Sequence, residues 1–135
     1  LMLEKFDLLP TAQQNIRRWL SSQLTGLSKE QLFVVGLVLN EVVQNIMRYA
    51  FADNFPKQPV AIQLDHAHSN SLTVTVRDYG RPCDPDQFIN KQHTPSEHGG
   101  MGIHLIKKNT QTFTIAPQPD GNLTTLTFNL LGAPK

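Results

Sequence analysis

The stretch Leu39-Asn40-Glu41-Val42-Val43-Gln44-Asn45-Ile46-Met47-Arg48-Tyr49-Ala50-Phe51 constrains the fold more than any other part of the chain. Val38, Val42, Ile46 and Tyr49 recur at helical spacing, which predicts an amphipathic helix. Glu41 and Asn45 stand one helical turn apart and stack on one face, with Arg48 following on nearly the same side. The stripe beside them is apolar, so both polar groups belong at the margin of a core. A carboxylate held there without a partner is costly. The pattern therefore implies that something else in the molecule, or a ligand, uses it.

Length and composition narrow the setting. The 135 residues suit one domain, 1–135, and 39% hydrophobic against 17% charged content is enough to bury a core. A net charge of +1 gives no global electrostatic case for nucleic acid. Cys83 is the single cysteine, which excludes an internal disulfide and suits a reducing compartment. The longest apolar run, Leu32 to Leu39, is broken by Gly36 and falls far short of the roughly 18 to 20 residues of a membrane span. Glu4, Lys5 and Asp7 argue against a secretory signal. The expectation is a soluble cytoplasmic protein with neither a membrane nor a nucleic acid as partner.

Taken in order, the segment from Leu1 to Leu9 reads as a short edge strand stopped by Pro10. Thr11 with Gln14, and Ser28 with Gln31, each carry a capping-box signature. The first opens a helix striped by Ile16, Trp19, Leu20, Leu24 and Leu27 and closed by Gly26; the second opens a helix running from Lys29 to about Phe51. Asp53-Asn54-Phe55-Pro56 is a turn. Val60 to Leu64 and Leu72 to Arg77 form a hairpin, the latter strand alternating at period two. Asp86 to Asn90 suggests a short helix and Lys91 to His98 a mobile loop. Ile103 to about Asn109 is a third helix, and Thr112 to Ala116 and Asn122 to Leu130 are strands joined through Asp120-Gly121. His66 and His68 read as a polar turn rather than a metal pair, and Cys83 as a small buried apolar residue.

Four elements in fixed order carry the chemistry. They are Glu41-x-x-x-Asn45 on a helix, Asp78-x-Gly80 after a strand, Gly99-Gly100-x-Gly102 before a helix, and a threonine-rich last strand. Each alone is common; their conjunction is specific. With them the sequence resembles the Bergerat-fold (GHKL) ATPases, the superfamily of gyrase, histidine kinases and mismatch-repair ATPases. The compact length and the Leu8-Leu9-Pro10 lead-in look like the anti-sigma-factor serine/threonine kinases of bacterial partner-switching systems. Leu39 to Phe51 is similar to their N box. Asp78-Tyr79-Gly80-Arg81-Pro82-Cys83-Asp84-Pro85 is similar to the first glycine box, and His98 to Ile106 to the second.

The resemblance implies an α/β (α+β) two-layer sandwich, with a mixed, mostly antiparallel sheet carrying three main helices on one face. It implies ATP and Mg²⁺ as cofactors. Glu41 would be the general base for an attacking serine hydroxyl, and Asn45 would offer its amide oxygen to magnesium. Asp78 would accept from the adenine amino group, with Gly80 letting backbone pass close to the base. Arg48, His98, Gly99, Gly100, Met101 and Gly102 would surround the phosphates, the last of these at a helix N-terminus. Thr124 and Thr125 are both candidates for the adenine-side threonine, and Thr125 is assigned. Arg48, Cys83, His98 and Gln111 depart from the commonest residues of that family. The implied partners are a sigma factor and a STAS-like anti-sigma-factor antagonist, with a homodimer as a further expectation. The other class to weigh is an ATP-binding regulatory module without phosphotransfer.

Overall fold

The computed structural model describes residues 1–51, 56–84 and 100–130. In chain order these form β1 (Met2–Phe6), α1 (Ala12–Gln23), α2 (Lys29–Asn45) and a π-helical turn (Ile46–Ala50). There follow β2 (Val60–His68), β3 (Ser71–Asp78), α3 (Gly100–Asn109), β4 (Thr112–Gln118) and β5 (Gly121–Asn129). The sheet has five strands in the order β1-β2-β3-β5-β4. All of its pairings are antiparallel, so the parallel pairing implied by a mixed sheet does not occur among the described residues. The chain leaves β3, passes through α3 to the edge strand β4, and returns beside β3 as β5. That route lays the start of β5 against the end of β3, which positions much of the site.

Period-two alternation decides which face is buried. Val60, Ile62 and Leu64 of β2, Leu72, Val74 and Val76 of β3, and Leu126 and Phe128 of β5 all point into the core. The helices cover that face: Ile16 and Leu20 of α1, Val35, Val38, Leu39 and Val42 of α2, and Ile106 of α3 complete one cluster. Removing a side chain such as Ile62 or Leu64 from water contributes about 1.5–3 kcal/mol. Trp19 joins this core at the β1 edge, its ring edge-on to Phe6 with centroids 5.3 Å apart.

The two capping signatures behave differently. At Ser28 both reciprocal bonds form: Gln31 N–H donates to Ser28 Oγ at 3.1 Å and Ser28 N–H to Gln31 Oε1 at 2.8 Å. Gln31 also donates to the Leu130 carbonyl, tying the start of α2 to the end of β5. Thr11 makes no side-chain cap bond, because its backbone (φ −89°, ψ 2°) is not the extended one that aims a capping oxygen into the first turn.

The long helix also departs from expectation. Its α-helical part ends at Asn45, and the next turn widens, with Phe51 N–H donating to the Ile46 carbonyl at 3.2 Å. Such π turns concentrate at functional sites. The expected turn at 53–56, short helix at 86–90 and loop at 91–98 lie wholly or mainly outside the described residues.

Candidate nucleotide site

A small cleft opens between the helical layer and the sheet. Val42, Asn45, Ile46, Tyr49 and Ala50 form one wall, and Asp78, Asn122 and Thr124 the facing one. Ile103 and Ile106 of α3, Phe113 and Ile115 of β4, and Cys83 complete it. A largely apolar cleft with a few converging polar groups suits a flat ring bearing polar edges.

Asp78 ends β3 on the core side and is only 1% exposed. Its Oδ1 accepts from Gly80 N–H and from Asn122 Nδ2, both at 3.0 Å. Burial pushes its carboxyl above the ordinary carboxylate range, against the pull of those two hydrogen bonds and of nearby Arg77. Asn122 was not singled out from the sequence, yet it holds this corner together. Besides bonding Asp78, its Nδ2 donates to the Arg81 carbonyl at 3.0 Å and its Oδ1 accepts from Cys83 N–H at 2.8 Å. The Asp120-Gly121 turn that precedes it was visible; the pairing of Asn122 with Asp78 was not. The Cys83 thiol is half-buried, and burial together with the Asp78 charge pushes it up.

The other end of the cleft is less complete. Asn45 sits on the last α-helical turn before the π turn, and its Nδ2 is buried with no hydrogen-bond partner among the described residues. Turning the amide by half a rotation presents Oδ1 in the same place. Glu41, one turn earlier, lies against the first turn of α3: a Cβ added to Gly102 would stand 2.7 Å from Glu41 Oε1 and 3.8 Å from both Asn45 amide atoms. Gly102 is thus where α3 closes on the two polar groups of α2. Among the described residues no group of three or more His, Cys, Asp or Glu side chains converges. This donor set fits a magnesium ion taken up with one amide oxygen, the remaining ligands coming from phosphate and water.

Two assignments change on this geometry. Thr124, not Thr125, faces the cleft, because it is paired with Val76 on the core side while Thr125 is paired with Thr75 on the open face. Gly80 makes its close approach to protein: a Cβ there would fall 2.6 Å from Ala50 Cβ and 2.7 Å from the Ala50 carbonyl oxygen. Arg81 N–H then bonds that same carbonyl at 2.8 Å, so this glycine docks its loop onto the π turn. Arg48 lies outside the cleft lining, its guanidinium 5.9 Å from the Tyr49 ring centroid. Gly100 and Met101 open α3, and His98 and Gly99 lie outside the described residues.

This chain belongs to the histidine kinase-like ATPase domain family, whose sequence model matches residues 5–128. It is therefore a GHKL-type ATPase domain, and the family carries ATP binding with it. No curated protein matches the chain by sequence. Among solved structures, the RsbU and RsbW domains of Rv1364c from Mycobacterium tuberculosis share the fold with a TM-score of 0.64 at 17% identity, over 96% of this chain and 31% of that one. The histidine kinase domain of the blue-light activated histidine kinase from Erythrobacter litoralis aligns with a TM-score of 0.54 at 19% identity, over 89% of this chain and 60% of that one. The nucleotide-free catalytic domain of histidine kinase ThkA aligns at 0.56 and 14% identity, over 96% and 97%. At these identities the likeness is one of fold. The chain spans about a third of the Rv1364c structure and under two thirds of the Erythrobacter one. Among the described residues no helix is long and apolar enough to cross a membrane.

Proposed function

We propose that this chain is an ATP-dependent serine/threonine protein kinase that also acts as an anti-sigma factor. It phosphorylates a small STAS-like antagonist on serine, and holds a sigma factor when that antagonist is unavailable. The observation that supports this most is a cleft lined by Asn45 and the buried Asp78, with Glu41 and Gly102 meeting beside Asn45. The motif order read from the sequence supports the finer assignment to the anti-sigma kinases.

Each group has a chemical task in this reading. Asp78, ionised, accepts from the adenine amino group, and Thr124 and the apolar side chains of β4 enclose the base. The first turn of α3 faces the phosphates. Asn45 would hold magnesium, which when bound would spread the charge of the triphosphate. Glu41 takes the proton of the incoming serine hydroxyl as its oxygen bonds to the γ-phosphorus and the bond to ADP breaks. The products are phosphoserine and ADP, with the proton on Glu41. Location in the cytoplasm, and a homodimer, follow from the same reading.

Transfer of γ-phosphate from ATP to a purified antagonist tests it. The wild type labels serine and Glu41→Ala does not, while both bind ATP. Equal labelling by both proteins contradicts the role given to Glu41. The alternative is a regulatory module that binds ATP without transferring it. The departures at Arg48, His98 and Gln111 from the commonest residues of the family favour this alternative. Stoichiometric ATP binding and nucleotide-dependent partner binding without turnover would decide for it.

A further inference from the structure

The β4–β5 turn touches the end of β3 at three successive residues. Asp120 pairs with the Arg77 guanidinium. Gly121 (φ +155°) has no room for a side chain, because a Cβ there would fall 2.0 Å from the Asp78 carbonyl oxygen and 2.8 Å from Tyr79 Cα. Asn122 follows, 3% exposed, and spends both ends of its amide on Asp78, Arg81 and Cys83. Two donors converge on Asp78 Oδ1, which leaves Oδ2 as the oxygen to offer a ligand. No part of the resemblance or of the motif set assigns a role to Asn122.

We infer that Asn122 is the positioning residue for base recognition: it fixes the Asp78 carboxylate so that one oxygen faces the cleft, and so sets preference for a purine with an exocyclic amino group. The inference rests on the nucleotide reading and deepens it. An amide is well suited to the task. Its N–H group favours the ionised carboxylate, and its oxygen takes Cys83 N–H, so the residue orients Asp78 and the following loop together. Among the described residues, the charged and titratable groups around this pair are Arg77 with Asp120, Tyr79 and Arg81 next along the chain, Tyr49 across the cleft, and Cys83 with Asp84 beyond it.

Asn122→Asp supplies the test, through calorimetric affinities for ATP and inosine triphosphate across pH. Inosine triphosphate lacks the amino group. A carboxyl at 122 can donate to Asp78 only while protonated, and two ionised carboxylates there repel. Wild type should prefer ATP and lose that preference on acidification, as Asp78 takes up a proton. Asn122→Asp should show little ATP preference at any pH, because the second carboxylate drives the proton onto the buried Asp78. At neutral pH its ATP affinity falls about tenfold or more, to the level that wild type reaches only in acid, with inosine triphosphate affinity unchanged throughout. The inference is overturned if the variant keeps wild-type ATP preference at every pH, or if it loses both nucleotides alike, which marks a purely structural residue. Should circular dichroism show Asn122→Asp unfolded, Asn122→Ser and Asn122→Ala take its place. Serine keeps a donor and should retain more ATP preference than alanine; equal ratios overturn the inference. A wild type that binds neither nucleotide removes the nucleotide reading itself, whereas one that binds ATP beside an indifferent Asn122 removes only this inference.

Discussion

At the Asp78 end of the cleft, a buried carboxylate takes hydrogen bonds from Gly80 and Asn122 before any ligand arrives. At the Asn45 end, an amide nitrogen is buried with no partner among the described residues, and Glu41 faces the first turn of α3 across the space left by Gly102. On the proposed reading, the contrast separates two tasks. A base of fixed shape is best read by groups already locked in place, since an ordered site forfeits less on binding. Phosphates and a metal bring their own charge and oxygens, so that end can leave hydrogen-bonding capacity for the ligand to fill. A buried orphan is costly, and ligand binding that satisfies it is correspondingly favoured.

The largest effect expected is the one that divides the ends by function. Glu41→Ala should lower phosphotransfer by about 10²–10⁴-fold, the usual share of a general base, with ATP affinity nearly unchanged by calorimetry. A parallel loss of affinity would break the division. Next is Asp78→Asn, which should weaken ATP binding by about 10–100-fold, the scale of a hydrogen bond to a charged group. Its effect on stability should have the opposite sign. The folded-state carboxyl is raised above its ordinary value, so the buried charge counts against the fold above that raised pKa. The penalty relaxes as pH falls through it. Thermal melts should therefore place Asp78→Asn at or above wild type at neutral pH, with the advantage shrinking in acid.

Smaller effects locate the supports. Gly80→Ala drives a Cβ into the Ala50 backbone and should cost about 1–3 kcal/mol in chemical denaturation. It should weaken ATP binding only through the displaced loop. Ser28→Ala removes a formed capping box far from the cleft and should cost about 1 kcal/mol with no change in ATP affinity. A nucleotide effect from Ser28→Ala would mean that the two ends are coupled through the whole of α2.

What was legible in the sequence follows the range of the interactions. The helix bearing Glu41 and Asn45 and the strand ending in Asp78 are local patterns and are found where the residues placed them, whereas α3 opens three residues before Ile103 and takes Gly100 and Gly102 into its first turn. The Ser28 box is equally local and forms; the Thr11 box fails because its flanking turn sets a different backbone. Non-local register was not readable. Whether Thr124 or Thr125 looks into the cleft depends on the pairing of β5 with β3, and a shift of one residue reverses every side chain. Asn122 was hidden for the same reason. The π turn was hidden too, because Ile46 and Tyr49 continue the apolar stripe whichever way the backbone is wound. Gly80 was expected to make room for a base and makes room for Ala50, a contact between elements far apart in the chain.

The most direct test of the account is a calorimetric titration of the wild-type chain, Asn45→Ala and Asp78→Asn with ATP, with and without magnesium. One site per chain in the wild type is predicted. Asn45→Ala should remove the enhancement by magnesium and Asp78→Asn the affinity for the base. Heat from all three proteins that is the same, or none from the wild type, would contradict a nucleotide lying between those two residues.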